Sequence, residues 1–174
     1  MQEIIEKEND KVVLSPYSEI WISLFELEYR LLKDRFNQVF LNIYHMGSTS
    51  VPNLTAKPII DIIAEVRSLE QLDSQEKEFV DLGYEIKGEN GIPNRRFYVK
   101  RKDGRRAIHL HCYEKGNPEI NRHLKFKHIL LVDRNILLEY EKLKIDLVAR
   151  YKDNRLKYAE AKSEFIQNVL LTYE

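Results

Sequence analysis

Residues 39–66 constrain the fold more than any other part of this 174-residue chain. The segment 39–46, VFLNIYHM, is rich in β-branched and aromatic residues and ends at Gly47, which is typical of a strand. A polar loop leads from there into a second predicted strand at 59–66, IIDIIAEV. Because strands need partners for their backbone groups, the chain is expected to build a β-sheet around these two segments.

A long helix is predicted ahead of the first strand. Residues 12–14 are apolar enough for a short strand, and Ser15 followed by Pro16 is typical of an N-cap with proline at the first helical position. The helix is expected to run to about Phe36. Its apolar stripe comprises Tyr17, Ile20, Trp21, Leu24, Leu27 and Leu31.

A helix and a hairpin are predicted after the second strand. Residues 68–82 favour a helix that ends at Gly83, since glycine tolerates the left-handed backbone that commonly follows a helix. The segments 95–101 and 106–113 favour strands, and Asp103-Gly104 between them predicts a tight hairpin turn.

From Asn117 onward the pattern becomes helical. Two apolar stripes follow, Ile136, Tyr140, Leu143 and Leu147, then Tyr158, Ala161, Phe165 and Val169. The chain is therefore predicted to be a single α+β domain over residues 1–174. Its core would span about 12–115, with a mixed sheet packed by helices on one side, and a C-terminal helical segment would span about 116–174.

Strand alternation predicts where the polar side chains gather. Asp61 alternates with apolar neighbours in its strand, as do His109 and His111 in theirs. If Arg96 and Tyr98 share their face, all five converge on one open side of the sheet. A carboxylate, two imidazoles and a guanidinium together would suit a metal ion or a phosphate. The alternative is that these residues and the basic hairpin are simply solvated.

The loop between the first two strands has the features of a phosphate site. Gly47 and Ser48 allow backbone amides and a hydroxyl to approach a phosphate closely, and Asp61 on the next strand could hold Mg²⁺ against it. This arrangement resembles the Gly-Ser and Asp-x-Asp motifs of the nucleotidyltransferase superfamily. The longer string HMGSTSVPNLTAKPIIDI resembles the GrpB family within that superfamily.

The resemblance to the GrpB family extends over roughly residues 12–170. It includes Val13-Leu14, residues 17–21, Arg96-Phe97, His109-Leu110-His111, residues 124–126, residues 140–144 and residues 158–166. It implies a nucleotidyltransferase-like α+β core with C-terminal helices. It assigns no reaction, substrate or acceptor.

The sequence departs from the nucleotidyltransferase pattern at the metal ligands. Active members of that superfamily use two alternating carboxylates and a third on a later strand, which hold two metal ions. Either alignment of Asp61 leaves Ile59 or Ile63 in a ligand position. His109 and His111 could complete a mononuclear site with Asp61, and imidazole ligands would shift preference from Mg²⁺ toward Mn²⁺ or Zn²⁺.

The leading hypothesis is a nucleotidyltransferase-like protein that binds a nucleotide or another phosphorylated small molecule and transfers a nucleotidyl group to an unidentified acceptor. Its catalytic and metal-binding residues would be Asp61, His109 and His111. Its phosphate- or nucleotide-binding residues would be Gly47, Ser48, Thr49, Lys57 and Arg96. The main alternative is a catalytically degenerate module that binds a nucleotide or a partner. A hydrolase that uses the His-x-His strand is a third hypothesis.

Charge and composition limit the partners and the location. The 28 basic residues balance the 28 acidic residues, so bulk attraction to nucleic acid or to a membrane surface is not expected. The hairpin at 95–106 carries seven basic residues against Asp103 alone, which leaves RNA as a secondary candidate partner. One cysteine, Cys112, no long apolar run, and an acidic start without a signal-peptide pattern at residues 1–10 together predict a cytoplasmic protein. The oligomeric state is left open.

Overall fold

A five-stranded mixed sheet organises the chain. The structure is a computed structural model and describes residues 11–173. The strands are β1 Phe40–Met46, β2 Ile60–Val66, β3 Tyr84–Ile86, β4 Arg96–Lys102 and β5 Arg105–Glu114. Their order is β1-β2-β5-β4-β3, with β2 and β5 parallel and the other neighbours antiparallel. The predicted mixed α+β fold is therefore confirmed.

Helices cover both faces of this sheet. They are α1 Ile20–Arg35, α2 Leu69–Asp73, α3 Glu76–Asp81, α4 Pro118–Val132, α5 Arg134–Tyr151 and α6 Arg155–Thr172, with a short 3₁₀ helix at Ser48–Ser50. Helices α1 to α3 bury one face in the largest apolar cluster. Helix α4 packs on the other face through Ile120, and α5 and α6 pack on α4. Among the described residues, no helix is long and apolar enough to cross a membrane.

The prediction that Arg96 and Tyr98 of β4 share a face of the sheet with His109 and His111 is wrong. Arg96 pairs with Cys112 and Tyr98 with Leu110, so both lie on the apolar face, away from His109 and His111. Tyr98 is 1% exposed in the main core, with its ring stacked 4.1 Å from that of Phe79. The hairpin contains an irregularity between Lys100 and Arg101. Alternation within one strand cannot reveal such a shift, which reverses the faces relative to the partner strand.

The start of α1 and its buried side also differ from the prediction. Ser15 does not cap the helix, because its backbone forms an isolated bridge with Ala56, and no strand forms over residues 12–14. The helix begins after Glu19 and buries Trp21, Phe25, Glu28 and Leu32. Most of the predicted apolar stripe therefore faces outward.

Other elements follow the sequence closely. Strands β1 and β2 begin one residue later than predicted, and the hairpin turn has positive φ at Asp103 and Gly104, as the dipeptide indicated. The helix predicted over 68–82 is divided into α2 and α3, and strand β3 was not predicted. The acidic residues 1–10, on which the signal-peptide prediction rests, lie outside the described residues.

Candidate functional site

A cavity of about 230 Å³ lies between the sheet and the C-terminal helices. Strands β2 and β5 and the loop after β1 supply one wall, and α4, α5 and α6 supply the other. The predicted residues that line it are Gly47, Ser48, Thr49, Lys57, Asp61, His109 and His111. The face of the sheet that was expected to be open is therefore covered by the C-terminal helices.

Asp61 and the two histidines meet because β2 and β5 are adjacent and parallel. Asp61 pairs with His109 in register, and His111 lies two residues along on the same face. The distance from His109 Nδ1 to Asp61 Oδ1 is 3.1 Å. One ligand atom from each of the three side chains lies within 4.8 Å of the others, so the predicted convergence is present.

The Asp61–His109 pair has a defined protonation pattern. Burial by itself raises the pKa of Asp61, but the hydrogen bond and positive charge supplied by its neighbours outweigh this, and the pKa is lowered. Asp61 is therefore ionised and accepts the proton of His109 Nδ1. The pKa of His109 is lowered, mainly by burial, so its ring is neutral and Nε2 carries a lone pair. That Nε2 atom is buried without a hydrogen-bond partner among the described residues.

His111 is held in the opposite tautomer. Arg95 Nη1 lies 3.3 Å from His111 Nδ1, and a guanidinium can only donate, so Nδ1 must accept. Burial lowers the pKa of His111 to about 3, so the ring is neutral and its proton is on Nε2. Arg95 is itself fixed by donating to the carbonyls of Glu89 and Asn90. His111 therefore offers an N–H donor.

Gly47 allows the loop after β1 to approach Asp61. Its φ is +70°, and a Cβ placed there would lie 2.4 Å from Asp61 Oδ2. Both the backbone conformation and the contact therefore require glycine. This position explains in physical terms why the Gly-Ser pair precedes the strand that carries Asp61.

The donor set fits one metal ion of the manganese or zinc type better than a pair of Mg²⁺ ions. It comprises one carboxylate and two imidazoles, whereas Mg²⁺ prefers oxygen ligands. Asp61 is the only carboxylate among the described residues that line the cavity, where Ile59 and Ile63 flank it. In the metal-free arrangement, His111 has Nδ1 bonded to Arg95 and its proton on Nε2, so ligation would require its tautomer to change or the Arg95 bond to break.

Positive charge dominates the cavity wall. Four lysines line it, Lys57, Lys127, Lys144 and Lys162. Lys127 Nζ donates to the His45 carbonyl at 2.9 Å. The ammonium groups of Lys57 and Lys162 lie 5.5 Å and 4.8 Å from the ring centroid of Tyr158. A cavity with this charge balance suits an anionic ligand.

Lys144 is the most buried of these lysines, at 1% exposure. Its Nζ donates to Ser48 Oγ at 3.3 Å and to the Thr55 carbonyl, so α5 is connected to the Gly-Ser loop. Burial, followed by the charge of Lys162, lowers its pKa to about 7. A group that titrates near neutrality would gain a full charge when an anion binds beside it.

Two of the predicted phosphate ligands are engaged elsewhere. The Thr49 hydroxyl donates to the Ile59 carbonyl and accepts from His45 Nε2 at 3.1 Å, so it fixes the loop. Arg96 does not line the cavity, because its guanidinium makes a double contact with Asp73 at 2.6 and 2.7 Å. The prediction that Arg96 lies beside Asp61 is therefore wrong, for the reason of register given above.

The basic hairpin is not a single cationic surface. Arg95 is 5% exposed, and Arg101 pairs with Glu85 at 2.8 Å. Four of the seven basic residues counted in the sequence, Arg95, Arg96, Lys100 and Arg101, thus serve internal or paired roles.

Sequence reasoning missed the helical half of the cavity wall. The missed residues are His123, Lys127, Tyr140, Lys144, Tyr158 and Lys162. One signal was available: Lys144 falls on the same stripe of α5 as the buried residues Tyr140 and Leu147. A lysine within an apolar stripe is a candidate for a functional position, because burying an ammonium is unfavourable without a purpose-built partner.

Relatives of this chain share its length and sequence to different extents. The UPF0157 protein YqkA of Bacillus subtilis is 43% identical over 157 residues, which are 90% of this chain but only 46% of that protein. The glutamate-rich protein GrpB of Alkalihalophilus pseudofirmus is 29% identical over 164 residues, covering 92% of this chain and 94% of that protein. The chain thus spans about half of the first relative and nearly all of the second.

Solved structures show the same fold. The conserved protein GrpB from Enterococcus faecalis has a TM-score of 0.80 and 34% identity, covering 91% of this chain and 99% of that one. The Cid1 poly(U) polymerase bound to MgATP has a TM-score of 0.55 and 12% identity, covering 78% and 44%. At that identity the second similarity concerns the fold alone, which is nucleotidyltransferase-like.

A family model described as GrpB protein matches residues 11–171. The match includes the Gly-Ser loop, the strand of Asp61, the histidines of β5 and all three C-terminal helices. The chain belongs to the GrpB family.

Proposed function

We propose that this chain binds a nucleotide with its phosphates in the lysine-lined cavity. The observation that carries the proposal is the charge of the wall, where four lysines surround a single carboxylate. Ser48 and the Gly47 backbone would contact a phosphate beside Asp61, and Lys57 and Lys144 would neutralise its charge. Arg96 is not part of the proposed site.

A second cavity supports a nucleotide rather than inorganic phosphate alone. It also measures about 230 Å³ and shares His111, His123, Phe126 and Ile166 with the first, so the two adjoin. Its wall adds Ile92 and Tyr113 together with the polar residues Arg95, Glu119, Arg122 and Ser163. Ile92, Phe126 and Ile166 offer apolar contact, and the polar residues offer hydrogen-bonding groups. This combination suits a planar heterocycle with polar edges, so the nucleoside would lie here.

The Asp61–His109 pair supports a transfer reaction. His109 Nε2 carries a lone pair, and ionised Asp61 orients the ring and would stabilise the imidazolium. In the proposed reaction an acceptor hydroxyl attacks the α-phosphorus, His109 takes the hydroxyl proton, and the bond to the leaving pyrophosphate breaks. His111 Nε2–H would donate to a phosphate oxygen. A divalent ion held by Asp61 and the imidazoles would instead supply charge neutralisation, and His109 would then be a ligand and not the base.

Calorimetry with the four ribonucleoside triphosphates and with inorganic triphosphate tests the binding step. We expect binding of both kinds of ligand to weaken at least tenfold in Lys144→Gln, as for a lost charge-assisted contact. Lys142→Gln on the exposed side of the same helix is the matched control and should bind as the wild type does. If no triphosphate binds at about 1 mM, the lower limit of useful affinity, the proposal is wrong.

The nucleoside cavity is tested separately. Ile92→Trp would fill part of the second cavity, so we expect weaker binding of nucleoside triphosphates and unchanged binding of inorganic triphosphate. Equal effects on both ligands would place the nucleoside elsewhere.

A binding module without catalysis is the second candidate. Either Ile59 or Ile63, depending on the alignment of Asp61, occupies a position where the nucleotidyltransferase resemblance implies a carboxylate, and both line the cavity. Release of labelled pyrophosphate in the presence of Mn²⁺ or Mg²⁺ separates the two functions. Turnover that Asp61→Asn abolishes supports transfer, whereas tight nucleotide binding without turnover, over a panel of acceptors that includes RNA, supports the module.

A further inference from the structure

Helix α1 presents an apolar stripe to solvent in addition to its buried side. The exposed fractions are 59% for Ile20, 40% for Leu24, 65% for Leu27 and 38% for Leu31. A different set of residues on the same helix, which includes Trp21 and Leu32, is buried in the core. The outward stripe (Ile20, Leu24, Leu27 and Leu31) therefore leaves apolar surface accessible on the monomer.

The spacing of the outward stripe is symmetric about its own centre. Its members are separated by four, three and four residues, so the order is the same in either direction along the helix. Two such helices packed antiparallel around a two-fold axis would place Ile20 opposite Leu31 of the second copy and Leu24 opposite Leu27. A two-fold contact uses the same patch on both copies, which requires this kind of self-complementarity.

Charge along α1 favours the antiparallel arrangement. The N-terminal half of the helix, residues 19–27, carries the exposed residues Glu19 and Glu26 and no basic residue. The second half carries Arg30 and Lys33 against Asp34, and also Arg35, which pairs with Glu78 of the same chain at 2.9 Å. An antiparallel pair would bring the acidic half of each helix against the basic half of the other, whereas a parallel pair would bring like charges together.

We propose that α1 forms the contact of a symmetric dimer of this chain through its outward stripe. This interface lies on the opposite face of the sheet from the lysine-lined cavity, so it does not depend on the proposed nucleotide binding. One 16-residue helix supplies fewer residues than the roughly 20–30 per side of a stable complex. The dimer therefore dissociates on dilution.

Sedimentation equilibrium over a dilution series that reaches about 1 mM tests the interface, because weak contacts populate a dimer in that range. We expect the wild type to approach twice the monomer mass and Leu27→Glu to remain monomeric. Leu156→Glu, at a leucine on α6 that is 74% exposed, is the matched control and should associate as the wild type does. Circular dichroism checks that each variant is folded, and Leu27→Ser is a milder second variant.

Charge reversal tests the orientation. Glu19→Lys should weaken the dimer, and adding Arg30→Glu should restore it, since Glu19 of one copy lies near Arg30 of the other only in the antiparallel pair. A monomeric wild type at every concentration would overturn the proposal, as would equal association of Leu27→Glu and Leu156→Glu. Failure of the Arg30→Glu rescue would overturn the antiparallel arrangement.

Discussion

Arg95 Nη1 contacts His111 Nδ1 at 3.3 Å, and this contact determines which ring nitrogen of His111 carries the proton. A guanidinium has no acceptor, so the neutral ring must carry its hydrogen on Nε2. His109, whose Nδ1 donates to Asp61, has the opposite tautomer. Two histidines only two residues apart thereby differ in protonation, with a lone pair on His109 Nε2 and a hydrogen on His111 Nε2.

Replacing Arg95 should allow His111 to populate both neutral tautomers. In the wild type we expect the Nε2–H form in the imidazole ¹⁵N spectrum, and in Arg95→Met a mixture of the two neutral forms. Because Nδ1 or Nε2 then becomes available as a ligand, binding of Mn²⁺ or Zn²⁺ should strengthen in the variant. Observation of the Nδ1–H form in the wild type would contradict the assignment.

Gly47→Ala should disable the site with little loss of the fold. The added Cβ would lie 2.4 Å from Asp61 Oδ2, so the carboxylate or the loop must move. Gly104→Ala is the matched control, because Gly104 has φ +75° and nothing within 4 Å of an added Cβ. We expect both variants to lose about 1–2 kcal/mol of unfolding free energy from backbone strain. Only Gly47→Ala should weaken binding of inorganic triphosphate, measured by calorimetry.

Binding of inorganic triphosphate should depend on pH through Lys144. The pKa of Lys144 in the free protein is about 7, and a bound phosphate would raise it. Because the bound form then holds more protons than the free form above pH 7, affinity should fall as pH rises beyond 7 and level off below it. Calorimetry in buffers of different ionisation enthalpy should detect proton uptake on binding. Lys144→Met should lose this uptake, and a pH dependence unchanged in that variant would exclude the assignment.

Glu28 should be important for stability and not for binding. It is 7% exposed on α1, and its carboxylate accepts from the Tyr84 hydroxyl at 2.8 Å and from Lys100 Nζ at 2.9 Å. Glu28→Leu leaves the Lys100 charge without its partner, so we expect a loss of about 3 kcal/mol in urea unfolding. Adding Lys100→Met should recover part of that loss. Additive effects of the two changes would mean that the pair does not interact.

The sequence alone determined the elements whose signals are local. The strands predicted at 39–46 and 59–66 are present to within one residue, and the Asp103-Gly104 turn and the C-terminal helices are also present. Side-chain period and turn chemistry act over a few residues, which is why local sequence indicated them. The same period indicated that Asp61 and the two histidines stand apart from the apolar faces of their strands. The Gly-Ser motif indicated where a phosphate could approach them.

Only the tertiary structure decided how these elements face one another. The irregularity at Lys100 and Arg101 set the register of β4, which moved Arg96 to the far face and left Arg95 to hold His111. Packing of α4 to α6 brought Lys127, Lys144 and Lys162 over the sheet from residues far along the chain. Helix α1 has two apolar stripes, and local periodicity could not tell which one the sheet would bury. Register and packing arise from contacts between distant segments, so one segment's sequence does not encode them.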